Sequence, residues 1–178
     1  FGVVDSFFES MSGITTTGAT VIVGLDDLPK SLLIYRQLLQ WLGGMGLIVL
    51  AIAVMPLLGI GGGQLFKTQT PGPMSEQRLT PRITSTARAL WSIYLFLTVL
   101  CILAYRLAGM DYFDAVSHAF STVSIGGFST HDLSIGFFDS ISVEIVCMAF
   151  MLLSAMSFAV HYSAIYLSLI HISEPTRH

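Results

Sequence analysis

From Gln37 to Phe66 the chain carries no Asp, Glu, Lys or Arg, and this interval limits what the chain can fold into. A mostly apolar run of about 20 residues is long enough to cross a bilayer as a helix. The apolar core of the interval runs from Leu38 to Ile60. Two more stretches meet the same condition. Ala89 to Tyr105 is closed by Arg88 and Arg106, whose long side chains can reach the interface. Ile145 to Tyr166 is interrupted only by His161. Composition agrees: 11% of residues are charged, where a soluble domain carries about 25%. The expected class is an all-α membrane protein lying in the lipid bilayer.

Loop charges orient the chain. The connection from Gly61 to Arg88 holds Lys67, Arg78, Arg82 and Arg88 against Glu76 alone, so it is expected to be cytoplasmic. The opposite side collects Asp26, Asp27, Asp111, Asp114, Asp132, Asp139 and Glu144, with Arg106 at its edge. An acidic vestibule of this kind concentrates cations. Cys101 and Cys147 lie inside apolar spans with no metal-ligand spacing, and are read as packing residues.

Two short polar runs break the apolar pattern. One is Ile14 to Val21, with Thr15-Thr16-Thr17-Gly18-Ala19-Thr20; the other is Thr122 to Thr130, with Ser124-Ile125-Gly126-Gly127-Phe128-Ser129. Each follows a helical pattern too short to span, Val4–Gly13 and Tyr112–Thr122. A half-helix at membrane depth is tolerated where it is buried in protein or lines a water-filled cavity. Its C-terminus carries about half a negative elementary charge and favours a cation. A dehydrated ion needs oxygens, and backbone carbonyls supply them if they turn to one side. Glycine reaches the conformations that allow this. A shift of 109 residues lays Asp5 on Asp114, Ser12 on Ser121, Gly18 on Gly127 and Thr20 on Ser129. The same order of short helix, Gly/Thr loop, acidic linker and apolar helix recurs, as in an internal repeat. The fold expected is a set of repeated helix–pore loop–helix units of the pore-loop cation channel type.

The first span opens with Gln40-Trp41-Leu42-Gly43-Gly44-Met45-Gly46. Its small residues let backbones approach closely, and Pro56 can kink its inner end. After the break at Gly59–Gly63, Thr80 and Pro81 are expected to cap and start the next helix.

The motifs TTTGAT at Thr15–Thr20, QWLGGMGLIVLA at Gln40–Ala51, GGGQLFKTQTPGP at Gly61–Pro73, LTPRI at Leu79–Ile83 and SIGGFSTHD at Ser124–Asp132 cover most of Phe1 to about Ile165. With them the chain resembles the Trk-type potassium uptake proteins of bacteria, in the Trk/Ktr/HKT superfamily. The resemblance implies four non-identical repeats around one pseudo-fourfold pore in the inner membrane, each giving a filter strand with one key glycine. Here those glycines are Gly18 and Gly127, with Thr16, Thr17, Ile125 and Gly126 supplying neighbouring carbonyls to K⁺. One key glycine per strand suggests looser selectivity than a fuller glycine-rich filter. The resemblance also implies a homodimer, a cytosolic nucleotide-binding regulatory subunit and a gating loop in a third repeat. No organic cofactor is expected.

The expected division is the second half of repeat one at 1–60, a cytoplasmic connector at 61–88 and repeat two at 89–165. The chain is read as a partial segment. Its last stretch, 166–178, departs from the basic cytoplasmic pattern of the family and is expected to be translated sequencing-adapter read-through. The competing reading is a cation-coupled secondary carrier with re-entrant hairpins. That would aim half-helix N-termini and basic side chains at its solute, whereas here the C-termini face the loops and nearby charges are acidic. An intramembrane enzyme lacks a catalytic constellation, Ser157 and His161 being the nearest pair. No basic patch supports nucleic-acid binding.

Overall fold

A computed structural model describes residues 2–54 and 79–156. Among these residues the regular structure is entirely helical: α1 Val3–Ile14, α2 Lys30–Val54, α3 Leu79–Leu107, α4 Tyr112–Val123 and α5 Ile141–Ala155. Short 3-10 turns, Leu25–Asp27 and Ser134–Phe138, follow the two Gly/Thr loops.

The repeat is visible in the backbone. Helices α1 and α4 start and stop 109 residues apart, and so do the starts of the two 3-10 turns. Each short helix begins on a carboxylate. Asp5 accepts from the Gly2 N–H at 3.1 Å, and Asp111 accepts from the Phe113 N–H at 3.4 Å. A carboxylate there satisfies a free donor and suits the positive end of the helix. Each helix also ends in one way. Thr17 N–H reaches Ser12 O while Thr16 N–H reaches Gly13 O, both at 3.0 Å. At the same register Gly126 N–H reaches Ser121 O at 2.9 Å and Ile125 N–H reaches Thr122 O at 3.1 Å. This is the Schellman pattern, which needs a left-handed residue at the turn.

The core lies between the long helices and α4. Met45, Tyr94, Leu97, Cys101, Tyr105, Ala115, Ala119, Val123 and Val143 form one buried cluster. Its polar atoms are paired. Tyr94 Oη donates to Trp41 O at 2.9 Å, Trp41 Nε1 donates to Thr98 Oγ1 at 3.1 Å, and the Tyr105 and Thr122 hydroxyls sit 2.7 Å apart. Trp41, expected at an interface or a packed wall, sits among the rings of Trp91, Tyr94 and Phe120. Cys101 is buried in the core and Cys147 lies at its edge. The outward faces are apolar: Leu95, Phe96, Val99 and Leu103 on α3, and Ile141, Ile145, Met148 and Leu152 on α5.

Two boundaries differ from expectation. Helix α2 begins at Lys30, well before the apolar interval opens; in its first turns Leu33 is buried with Ile22 and Leu25, and Lys30 lies over the Phe113 ring. Helix α3 already includes Leu79 and Thr80, so Thr80 is not its cap and Pro81 is its third residue. Proline is tolerated there because first-turn N–H groups have no intrahelical acceptor. Among the described residues one helix, α3, is long and apolar enough to cross a membrane, over Leu90–Leu107. The other two expected spans are described only in part. The interval 55–60, including Pro56, and the stretch 157–178, with Ser157, His161 and the tail, lie outside the described residues. So does most of the basic connector.

Candidate functional site

The two Gly/Thr loops meet. A Cβ built on Gly18 would lie 2.0 Å from Gly126 O and 3.5 Å from Gly127 Cα. The loop containing Thr16, Thr17 and Gly18 thus runs against the loop containing Ile125, Gly126 and Gly127. Both have alternating handedness. Thr16 and Gly18 have φ of +55° and +75°, and Ile125 and Gly127 have φ of +54° and +87°. These are equivalent positions in the two repeats. An ordinary strand points successive carbonyls to opposite sides. Left-handed residues at every second position break that alternation and let neighbouring carbonyls face one way. For β-branched Thr16 and Ile125 this conformation is strained. Hydroxyls crowd the first loop: Thr15 donates to Met11 O at 2.7 Å, and Thr17 Oγ1 lies 2.8 Å from Thr15 Oγ1.

One face of α2 holds both loops. A Cβ on Gly43 would sit 1.9 Å from Ile14 O, and one on Gly44 would sit 2.9 Å from Ser124 Cβ. Adjacent glycines therefore seat the ends of both short helices. The close approach expected of this motif holds at Gly43 and Gly44; a Cβ on Gly46 would meet nothing within 4 Å. One turn earlier, the fully buried Gln40 accepts from Phe128 N–H at 3.1 Å. Its amide also fills the space a Gly126 Cβ would need, at 2.4 Å. Another turn back lies Arg36, only 2% exposed. It donates to Glu9 Oε1 from Nε at 2.8 Å and from Nη2 at 2.6 Å.

Behind each loop stands a polar strut from its short helix. Glu9 accepts from Thr20 Oγ1 at 2.8 Å and from Val21 N–H at 3.2 Å. The equivalent residue is His118, whose Nε2 lies 2.9 Å from Ser129 Oγ, the equivalent of Thr20. His118 Nδ1 lies 2.9 Å from Asp114 O. A carbonyl can only accept, so Nδ1 carries a proton and the neutral ring accepts from Ser129. The hydroxyl oxygens of Thr20 and Ser129 in turn accept the N–H two residues on, of Ile22 and His131, both at 3.1 Å. Ser12 Oγ adds a bond to Ala19 O at 2.5 Å.

The acidic residues expected to form a vestibule act partly as a clasp between repeats. The Asp132 carboxylate accepts the N–H groups of Gly24, at 3.0 Å, and Leu25, at 3.1 Å. His131 Nδ1 is bonded to Asp26, and its Nε2 lies 3.4 Å from an Asp114 oxygen. Its ring stacks on Phe137 at 3.5 Å. The hydrogen bond from His131 holds the Asp26 carboxyl below its ordinary range. Asp114 also accepts from Thr130 at 2.8 Å. Arg106 is bonded to Met110 O and lies over the Tyr112 ring at 3.8 Å.

A family model described as a cation transport protein, TrkH, matches residues 1–175. The chain belongs to the TrkH family. It is 62% identical over 160 residues to the Trk system potassium uptake protein TrkH of Halomonas elongata, and 60% identical over 162 residues to that of Vibrio parahaemolyticus. These matches take in 90% and 91% of this chain but 33% of each relative, so the chain spans about a third of their length. The crystal structure of the potassium transporter TrkH from Vibrio parahaemolyticus superimposes with a TM-score of 0.81 at 54% identity, covering 96% of this chain and 33% of that one. The helical pore-loop fold inferred from the repeats is therefore that of this family.

Reading the sequence missed Glu9, Arg36, Gln40, His118 and His131 as functional candidates. Two signals were present. Glu9 is an ionisable residue in the middle of a half-helix expected at membrane depth, where such residues are costly and functional by default. The offset that aligns Thr20 with Ser129 also aligns Glu9 with His118, and both are polar.

Proposed function

We propose that this chain supplies two adjacent strands of a potassium filter in a bacterial inner-membrane uptake protein. The matching left-handed φ values at Thr16 and Gly18, and at Ile125 and Gly127, carry the reading. On it, K⁺ sheds water and is met by carbonyls from Thr16, Thr17, Gly18, Ile125, Gly126 and Gly127. No covalent chemistry is required. The C-termini of α1 and α4 lead directly into these loops, so their partial negative charge adds to the attraction. The same polarity disfavours the carrier alternative, which needs positive helix ends at an anionic solute. Two strands do not close a four-sided site; the remaining strands come from the rest of the full-length protein. Segments 1–60 and 89–165 act as parts of two repeats joined by a cytoplasmic connector. The complete transporter works as a homodimer with a cytosolic nucleotide-binding subunit.

The test uses the full-length parent gene in a bacterium lacking potassium uptake. Growth at low K⁺ and radioactive rubidium uptake are followed for wild type, Gly18→Ser and Gly127→Ser. Wild type should rescue, and either substitution should weaken rescue or admit Na⁺ at unchanged membrane level. Unaltered uptake and selectivity in both variants would overturn the filter assignment.

A further inference from the structure

Arg36 is bonded to both repeats at once. Besides Glu9, its Nη2 donates to Thr20 Oγ1 at 3.1 Å, at the outer end of the first loop. Its Nη1 donates to Ser129 O at 3.3 Å, at the outer end of the second. Its guanidinium lies over the Phe128 ring, 4.3 Å from the centroid. The second loop is thus held from two directions at one residue: His118 takes the Ser129 hydroxyl and Arg36 takes its carbonyl. The Glu9 carboxylate balances the buried charge and fixes the guanidinium plane through two donors. Position 145, the repeat-two equivalent of Arg36, is Ile145, so this tie runs in one direction only.

From this network we infer that Arg36 is a positioning residue for ion selectivity: its planar fork sets the spacing between the first two filter strands. The inference rests on the filter reading above. Spacing matters because carbonyls discriminate between ions of similar charge only if their separation and number are held. A lysine ammonium on a flexible stem keeps the charge and can satisfy Glu9, but it lacks the rigid fork that reaches three acceptors in different directions. The surrounding acceptors belong to three elements: Glu9 on α1, Thr20 on the first loop and Ser129 on the second.

The experiment compares wild type, Arg36→Lys, the double variant Glu9→Gln with Arg36→Gln, and Gly18→Ser in the full-length protein. Membrane level, the KM and maximal rate of rubidium uptake, and the inhibition of that uptake by Na⁺ are measured. Arg36→Lys should reach the membrane, keep at least part of its maximal rate, and lose rubidium-over-Na⁺ preference by roughly tenfold, the loss of about one charged hydrogen bond. The double variant removes both buried charges together, which avoids stranding one of them, and should show the same loss. Wild-type preference in either variant at normal membrane level overturns the proposal. Failure of both to reach the membrane also overturns it, since Arg36 would then serve folding rather than selectivity. If Gly18→Ser leaves selectivity intact while Arg36→Lys changes it, the filter assignment fails instead; if wild type takes up no rubidium, the uptake reading fails.

Discussion

At the scale of single residues, the four left-handed positions are not equivalent. Gly18 has both a left-handed backbone and a carbonyl where its Cβ would stand, whereas a Cβ on Gly127 meets nothing within 4 Å. Alanine at Gly127 therefore bears only the conformational cost, about 1–2 kcal/mol. Alanine at Gly18 adds a backbone clash worth roughly 1–3 kcal/mol more. Rubidium uptake should consequently fall further in Gly18→Ala than in Gly127→Ala at matched expression. Equal effects would show that the contact with Gly126 O does not constrain the loop. Ile125 makes the opposite case: it is a β-branched residue held at φ +54° with 47% of its surface exposed, so little burial offsets its strain. Ile125→Gly should raise thermal stability in detergent, by about 1 kcal/mol, and loosen ion preference as the strand gains freedom. A lower melting temperature would mean that the Ile125 side chain contributes more than its strain costs.

The element that organises the site is α2. Its face reads Arg36, Gln40, Gly43 and Gly44, spaced so that each turn touches one or both loops. Two glycines on this helix separate close packing from propensity. Gly43→Ala must push α2 off Ile14 O and should destabilise by roughly 1–3 kcal/mol, whereas Gly46→Ala has room and should be neutral or stabilising by up to about 1 kcal/mol. Thermal melts of the two purified variants compare them directly; a Gly43→Ala protein as stable as Gly46→Ala would sink the account of the helix seat. The ends of α1 and α4 were legible in the sequence to within a residue, because a polar Gly/Thr run stops an apolar pattern abruptly. The glycine pair was legible as a place of close approach. The clamp was not. Arg36 reads in sequence as the edge of an uncharged interval, and its partners Glu9 and Ser129 lie 27 and 93 residues away. Hydrophobic periodicity reports which face of a helix is buried, not which polar atoms meet across two repeats. The early start of α2 escaped for a related reason: Lys30 and Ser31 break the apolar run, and the turn that follows is held by burial of Leu33 against Ile22 and Leu25.

At the scale of the whole molecule, the two repeats are joined at the Gly/Thr loops by α2 and at the acidic linkers by Asp132, Asp26 and His131. The Asp26 contact has a defined pH dependence. Its carboxyl titrates below the ordinary value when His131 donates to it. The contact therefore stabilises the fold above the unfolded-state value of about 3.9 and is lost as pH falls through the depressed folded value. A melting-temperature difference between wild type and Asp26→Asn should be present at neutral pH and vanish in strong acid. A difference that persists there would assign the effect to something other than this proton. The exposed apolar faces on α3 and α5, and Val3, Val4 and Phe7 on α1, suit contact with lipid or with further repeats. The isolated segment reconstituted in vesicles should carry no K⁺ flux, and flux from it alone would argue against a four-stranded site.

The one-way character of the Arg36 tie bears on how such a protein can change over time. A pore made of four identical copies cannot hold a contact that one copy makes and the others lack. A single gene that holds both repeats lets the first carry an arginine and a glutamine that grip the second, while the second has Ile145 and Ala149 at the matching positions. Neither repeat can then replace the other, because a swap would take Arg36 and Gln40 away from their partners in the second repeat, Ser129 O and Phe128 N–H. The clamp thus makes the order of the two repeats, and not only their sequence, something the gene must keep.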